Sequence, residues 1–277
     1  MSDATTHAPQ PPYLLEGRVA VVTGGGRGIG RGVCALFARA GARILVSSRS
    51  ADEVDACVSA CGGAGRAIGL AGDVADPLLW RQIEAAISAW GGAWDILVNC
   101  AGVSGPLAPV ESLPLDDWNR VIATNLTGTM LGCRTAIPLM RRRGRGVIIN
   151  VSSGLAARAQ PGLAAYSATK AALIQYSAVL AAELAEDHVE VFALHPGIVD
   201  TMLSRRHREE GPSGEGSLSK RLAGLRMLSV DQSARTFLTL ACGRASDFNG
   251  AFVRFDDPVI AERTASLFGA SRLPQQS

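Results

Sequence analysis

The chain has almost no lysine. Of 27 lysine and arginine residues in 277, only Lys170 and Lys220 are lysines, and only Tyr13, Tyr166 and Tyr176 are tyrosines. Charge of one sign is also lacking: the formal net charge is +2, and no basic face with interleaved aromatics is visible, which excludes a nucleic-acid reading. No uninterrupted apolar run reaches the length of a membrane-spanning helix. The first 16 residues, "MSDATTHAPQPPYLLE", have neither a basic start nor an apolar stretch. They read as a tail, not a signal peptide, and a cytoplasmic product is expected. The six cysteines (Cys34, Cys57, Cys61, Cys100, Cys133 and Cys242) have no disulfide-framework spacing. "CVSAC" puts Cys57 and Cys61 on one helix face, but no second ligand pair follows, so no metal site is expected. The strongest basic run, "MRRRGRG" (140–146), follows an apolar helix pattern and reads as a cationic helix C-terminus, which the helix dipole favours.

What is present is a strand–helix alternation. "RVAVVT" (18–23), "RILVSS" (43–48), "RAIGLAGDV" (66–74), "WDILVNCAG" (94–102), "GVIINVSS" (146–153), "VEVFALHPG" (189–197) and "AFVRFDD" (251–257) read as strands, with helix-length segments of 3.6 periodicity between them. Repeated crossovers predict a doubly wound α/β fold: a parallel sheet of about seven strands with helices on both faces. The strands are nearly continuous apolar runs, as burial on both faces requires. No composition break divides the chain. One domain is expected over 16–257, after a tail at 1–15 and before a C-terminal extension at 258–277. Residues 203–220, "LSRRHREEGPSGEGSLSK", are longer and more polar than an ordinary connection and read as a substrate lid.

The first strand runs into "TGGGRGIGRG". The spacing is not GxGxxG; what fits is T-G-x-x-x-G-x-G, with Thr23, Gly24, Gly28 and Gly30. Glycines let the backbone turn tightly and approach a ligand, and the helix N-terminus offers free N–H groups to a pyrophosphate. The second strand ends in Ser48, Arg49 and Ser50, with no carboxylate until Asp52. An acid there would hold the ribose of NAD, whereas an Arg accommodates the extra phosphate of NADP. With Arg27 as a second guanidinium, the expected cofactor is NADP(H) and not NAD(H). "GDVAD" at the third strand's end (Asp73, Val74) and "NCAG" at the fourth's (Asn99, Ala101, Gly102) extend a crevice along one sheet edge. Each of these strand ends alone has an ordinary loop reading; their repetition is the signal.

"AAYSATKAAL" places Lys170 four residues after Tyr166, on one helix face. Chance would put a lysine there roughly 2% of the time, so the pair needs its context. An ammonium beside a phenol favours the phenolate, and is expected to lower the Tyr166 pKa toward a working acid/base. Thirteen residues earlier, "NVSS" puts Ser153 (or Ser152) at the crevice, where a hydroxyl can bond a substrate oxygen. Asn125 falls on the apolar stripe of the preceding helix with Trp118, Val121, Ile122, Leu126 and Cys133, so it is either a satisfied core amide or part of the site.

"TGGGRGIG", "NCAG", the Asn of "TNLTG", "NVSS", "YSATK" and "HPGIVDT", in this order and spacing, resemble the short-chain dehydrogenase/reductase family over about residues 16–256. The resemblance implies a Rossmann-type fold and hydride transfer between a nicotinamide and a carbonyl/alcohol pair. It implies Tyr166 as general acid and base, Ser153 orienting the substrate oxygen, and Lys170 binding the ribose and lowering the Tyr166 pKa. Asn125 would hold a water in a proton relay. Pro196, Gly197, Ile198 and Thr201 would cradle the nicotinamide, and Gly24, Arg27, Gly28, Ile29, Gly30, Asp73, Val74, Asn99, Ala101 and Gly102 the rest of the cofactor. It implies a homodimer or homotetramer. Two positions depart from the family: Cys100 where members often have a second Asn, and "RFDDPVI" where many have Asp-Gly-Gly.

The leading expectation is therefore an NADP(H)-dependent oxidoreductase acting on a ketone, 3-oxoacyl compound or secondary alcohol. The alternative is a catalytically idle NADP(H)-binding regulator or scaffold. Leu155, Leu163, Met202 and Leu203 predict an apolar substrate lining, and Arg205, Arg206, His207 and Arg208 read as solvated lid charges.

Overall fold

In the computed structural model, residues 13–202, 204, 205 and 227–269 are described. Seven strands are all parallel: β1 (Val19–Thr23), β2 (Arg43–Ser48), β3 (Ala67–Ala71), β4 (Ile96–Asn99), β5 (Gly146–Val151), β6 (Val189–His195) and β7 (Phe252–Arg254). Their order is β3-β2-β1-β4-β5-β6-β7. The chain leaves β1 toward β2 on one side and returns to β4 on the other, so the switch point lies between β1 and β4. In open sheets ligands bind beyond the carboxyl ends of the strands at that point.

Successive strand residues serve opposite faces. Ala20, Val22, Ile96 and Val98 join a core with α1 (Gly28–Arg39), α2 (Ala51–Ala60), α7 (Val230–Ala241) and α8 (Pro258–Phe268). Val19, Val21 and Leu97 join the opposite core with α3 (Pro77–Ala89), α5 (Gly128–Arg143) and α6 (Ala164–Glu183). This two-sided burial is what the unbroken apolar strands require, each fully buried Val, Leu or Ile contributing about 1.5–3 kcal/mol. The segment after "RFDDP" is helical: Asp257 caps α8, which buries Ile260, Ala261, Thr264 and Phe268.

The arginine run is occupied by the fold. Asp95, buried at the start of β4, accepts from the Val19 amide at 3.0 Å and pairs with Arg145 (3.0 Å) and Arg143 (3.5 Å). Arg141 pairs with Asp187 at 2.7 Å. The cationic end of α5 is thus tied to neighbouring carboxylates. Among the described residues no helix is long and apolar enough to cross a membrane. The expected lid at 203–220 lies outside the described residues, apart from Ser204 and Arg205.

Candidate active site

At the switch point the end of β1 is sewn to the end of β4. Thr23 Oγ1 accepts from the amides of Cys100 (3.1 Å) and Ala101 (3.2 Å). Gly24 follows with φ +65°, and a side chain there would stand 2.9 Å from the Ala101 backbone. Gly28 opens α1 at φ +54°, and a Cβ on Gly30 would meet the Gly24 carbonyl. The backbone alone therefore forms the floor of a cleft of about 680 Å³, within the size range of cofactor sites. The first turn of α1 carries no acid and no side-chain cap. Its amides thus remain available to an anion. A dinucleotide fits this donor set and this glycine floor.

Gly24, Arg27, Gly28, Ile29, Gly30, Ser48, Arg49, Asp73, Val74, Ala101, Gly102 and Thr201 line the cleft, and so do Cys100 and Glu53. Asp73 turns its own loop, accepting from the Ala75 amide at 2.9 Å. The Val74 carbonyl receives the Trp80 indole N–H at 2.8 Å, which fixes α3 to that loop. Asn99 differs from expectation. Its amide donates to Asn150 at 2.9 Å and faces Cys133 behind the sheet end, so its side chain does not line the cleft. Met202 also departs from the expected substrate lining: it is exposed, with its sulfur 3.9 Å from Arg27 at the cofactor cleft. Leu203 and residues 206–208 lie outside the described residues.

Tyr166, Lys170 and Ser153 meet beside the cleft, beyond Gly102. Ser153 caps the short turn at Gly154–Ala156 by accepting from the Leu155 amide at 3.2 Å, and its hydroxyl hydrogen-bonds Tyr166. Ser152 is not an equivalent alternative: it is buried, and donates to the Lys170 carbonyl at 2.8 Å. Lys170 Nζ donates to the Val151 carbonyl at 2.7 Å and lies 5.6 Å from the Tyr166 ring centre. A Cβ on Gly102 would lie 3.5 Å from Lys170 Nζ and 3.4 Å from Asn125 Oδ1. Gly102 thus lies directly between the cleft and the Lys170–Asn125 pair.

Electrostatics correct one expectation. Burial pushes the Tyr166 pKa up, and the Ser153 hydrogen bond only partly offsets it. Burial pushes Lys170 down to about 8. Removing the ammonium from water weakens the very charge that was expected to acidify the phenol, and that charge is turned to a backbone carbonyl. In the cofactor-free protein the phenol is therefore protonated through neutrality.

Asn125 is fully buried in a π-helical turn, Ala123–Thr127, between α4 (Leu115–Ile122) and α5. Its side chain accepts from the Val103 amide at 2.8 Å and donates to the Val103 carbonyl at 2.9 Å and to Thr169 at 3.0 Å. Both amide hydrogens are thus spent on bracing the loop after β4 against α6.

Two residues, His195 and Thr23, have roles here that their motifs alone did not assign. His195 Nδ1 accepts from the Gly154 amide at 3.1 Å, holding the Ser153–Gly154 turn. Burial, reinforced by Arg254, lowers its pKa to about 4, so it stays neutral and keeps accepting. Its signal was only its place before Pro196. Thr23 ends a strand and gave no signal beyond its place in the glycine motif. Pro196, Gly197 and Ile198 follow β6, and Ile198 packs in the cluster that holds Tyr166. Ser233 binds the Pro196 carbonyl at 2.9 Å, and the Leu228 amide binds the Ile198 carbonyl at 2.9 Å. Around Tyr166 pack Leu107, Leu155, Leu163, Ile198 and Met227, while the Ala108 amide bonds the Gly162 carbonyl at 3.1 Å to join the two flanking loops.

A parallel sheet with this switch-point cleft and a Ser-Tyr-Lys cluster defines a class, and the comparisons agree. The short chain dehydrogenase family model matches residues 18–211. The chain belongs to that family. It is 37% identical over 245 residues to a D-threitol dehydrogenase of Mycolicibacterium smegmatis, covering 88% of this chain and 93% of the relative. It is 34% identical over 191 residues to a 3-alpha-(or 20-beta)-hydroxysteroid dehydrogenase of Mycobacterium tuberculosis, covering 69% and 72%. Among solved structures, a 3-ketoacyl-(acyl-carrier-protein) reductase from Brucella melitensis complexed with NADH superposes with TM-score 0.78 at 30% identity, covering 87% of this chain and 97% of that one. The protein is thus an oxidoreductase of the nicotinamide-dependent kind.

Proposed function

We propose that the protein is an NADP(H)-dependent oxidoreductase that interconverts a ketone and a secondary alcohol, with Tyr166 as general acid in reduction and general base in oxidation. The observation that carries this reading is the convergence of the Tyr166 hydroxyl, Ser153 and Lys170 beside a glycine-floored cleft. The nicotinamide, when bound, gives or takes the hydride. Ser153 orients the substrate oxygen toward the phenol, and the phenol gives its proton to that oxygen as the carbonyl is reduced. Lys170 replenishes the proton and holds the ribose hydroxyls. Asn125 and His195 hold the loops that carry these groups. Gly24, Gly28, Ile29 and Gly30 hold the pyrophosphate, and Pro196, Gly197, Ile198 and Thr201 flank the nicotinamide.

The cofactor reading rests on Arg27, Ser48 and Arg49 lining the cleft with no acid at the end of β2. The apolar shell of Leu107, Leu155, Leu163 and Ile198 supports a substrate whose carbonyl is flanked by hydrocarbon, in keeping with relatives named for cyclopentanol and hydroxysteroids. The subunits are proposed to assemble as a homodimer or homotetramer. The test is consumption of NADPH and NADH by purified protein against a panel of cyclic ketones, steroid ketones and 3-oxoacyl thioesters, with Ser48→Asp/Arg49→Ile alongside. Wild type should use NADPH better, and the double variant NADH. A wild type that uses NADH better refutes the cofactor reading, and no turnover with any ketone refutes the substrate class.

A further inference from the structure

Among the carboxylates that line the cleft, Glu53 is the one set against an arginine of the proposed phosphate site. Glu53, in the first turn of α2, faces Arg27 with Oε1 3.5 Å from Nη1, and both line the cleft together with Ser48, Arg49 and Ser50. A Cβ on Gly26 would stand 2.7 Å from Ser48 Oγ and 2.8 Å from Glu53 Cβ, so these groups close around one spot of bare backbone.

An ordinary reading exists for Glu53. Ser50-x-x-Glu53 is a capping-box sequence, in which the serine accepts from the third helical amide and the acid returns to the serine amide. Only half of that box is made. The Glu53 amide donates to Ser50 Oγ at 3.3 Å, while the carboxylate turns into the cleft toward Arg27. The same chain completes the box elsewhere: Gln232 accepts from the Ser229 amide at 2.9 Å and returns its own amide to Ser229 Oγ at 3.1 Å. A cap does not require the position that Glu53 has taken.

We propose that Glu53 is a specificity-determining residue that competes with the cofactor's 2′-phosphate for Arg27, and so weakens NADP(H) without affecting NAD(H). This rests on the reading that Arg27 and Arg49 receive that phosphate. In the cofactor-free protein the carboxylate neutralises Arg27. When a 2′-phosphate arrives, Glu53 must leave the guanidinium, and the free Ser50 amide gives it a second resting place that completes the box. NADH brings no second anion to this spot, so it leaves the pair undisturbed.

The experiment is equilibrium binding of NADPH and NADH, by calorimetry, to wild type, Glu53→Gln and Glu53→Gln in an Arg27→Ala background. The glutamine keeps the shape and the cap but not the charge. NADPH should bind Glu53→Gln about two- to fivefold tighter, the range of an exposed ion pair, with the NADH Kd unchanged. The gain should vanish when Arg27 is absent. An unchanged NADPH Kd, an equal gain for NADH, or a gain that survives in the Arg27→Ala background overturns the proposal. The ratio of NADPH Kd values between wild type and Glu53→Gln is read whichever cofactor wild type prefers. A failure of the cofactor reading is therefore separate from a failure of this one.

Discussion

Lys170 Nζ sits 2.7 Å from the carbonyl oxygen of Val151, the last residue of β5, and this bond rather than the phenol takes its charge in the cofactor-free protein. Burial holds the ammonium at about 8, so it is mostly charged at neutrality and loses its proton just above. Selective ¹⁵N-lysine labelling resolves this, because the chain has only two lysines and Lys220→Arg leaves one. The remaining Nζ resonance should titrate near 8. A midpoint at the ordinary lysine value of about 10.4 contradicts the burial argument.

The Tyr166 phenol is raised, not lowered. Since a raised acid keeps its proton to higher pH, Tyr166 adds nothing to tyrosinate absorbance when the free protein is brought to about pH 9. The ultraviolet difference between wild type and Tyr166→Phe should be flat to that pH. A tyrosinate signal that the variant lacks, appearing near neutrality, restores the expectation that Lys170 acidifies the phenol unaided.

Ser152 and Ser153 are adjacent and do different things. Ser153→Ala removes a hydroxyl that bonds Tyr166 and is expected to lower kcat by about 10²-fold or more, with a small fall in Tm for the lost cap on the Leu155 amide. Ser152→Ala removes a buried side-chain donor to the Lys170 carbonyl, at a cost of about 0.5–1.5 kcal/mol, seen as a lower Tm. Equal losses of turnover with equal Tm would show that the two hydroxyls are not divided in this way.

The sheet was legible because burial on both faces writes itself as unbroken apolar runs: "RILVSS" and β2, Arg43–Ser48, coincide. Strand ends were overextended where the segment after the strand bends into a turn, as at "RAIGLAGDV" against β3, Ala67–Ala71. The glycine floor and the Tyr166–Lys170 spacing were legible because backbone approach and helical pitch are local. What was not legible is long-range. Nothing in "HPG" says that His195 grips the Gly154 amide 41 residues away. Nothing in "NCAG" says that Asn99 turns toward Asn150 rather than the cleft. The sign of the Tyr166 shift depends on how much protein covers the phenol itself, which spacing does not encode. The carboxylate of Glu53, one residue beyond Asp52, reaches the cleft only because α2 enters it through its first turn.

The most direct test of the account is Tyr166→Phe, measured for cofactor binding and for turnover on one preparation. NADPH should bind with a Kd within about twofold of wild type, because the glycine floor and arginines are untouched, while kcat falls by at least about 10²-fold for loss of the proton donor. A Tyr166→Phe protein that binds NADPH and still reduces ketone at the wild-type rate would contradict it.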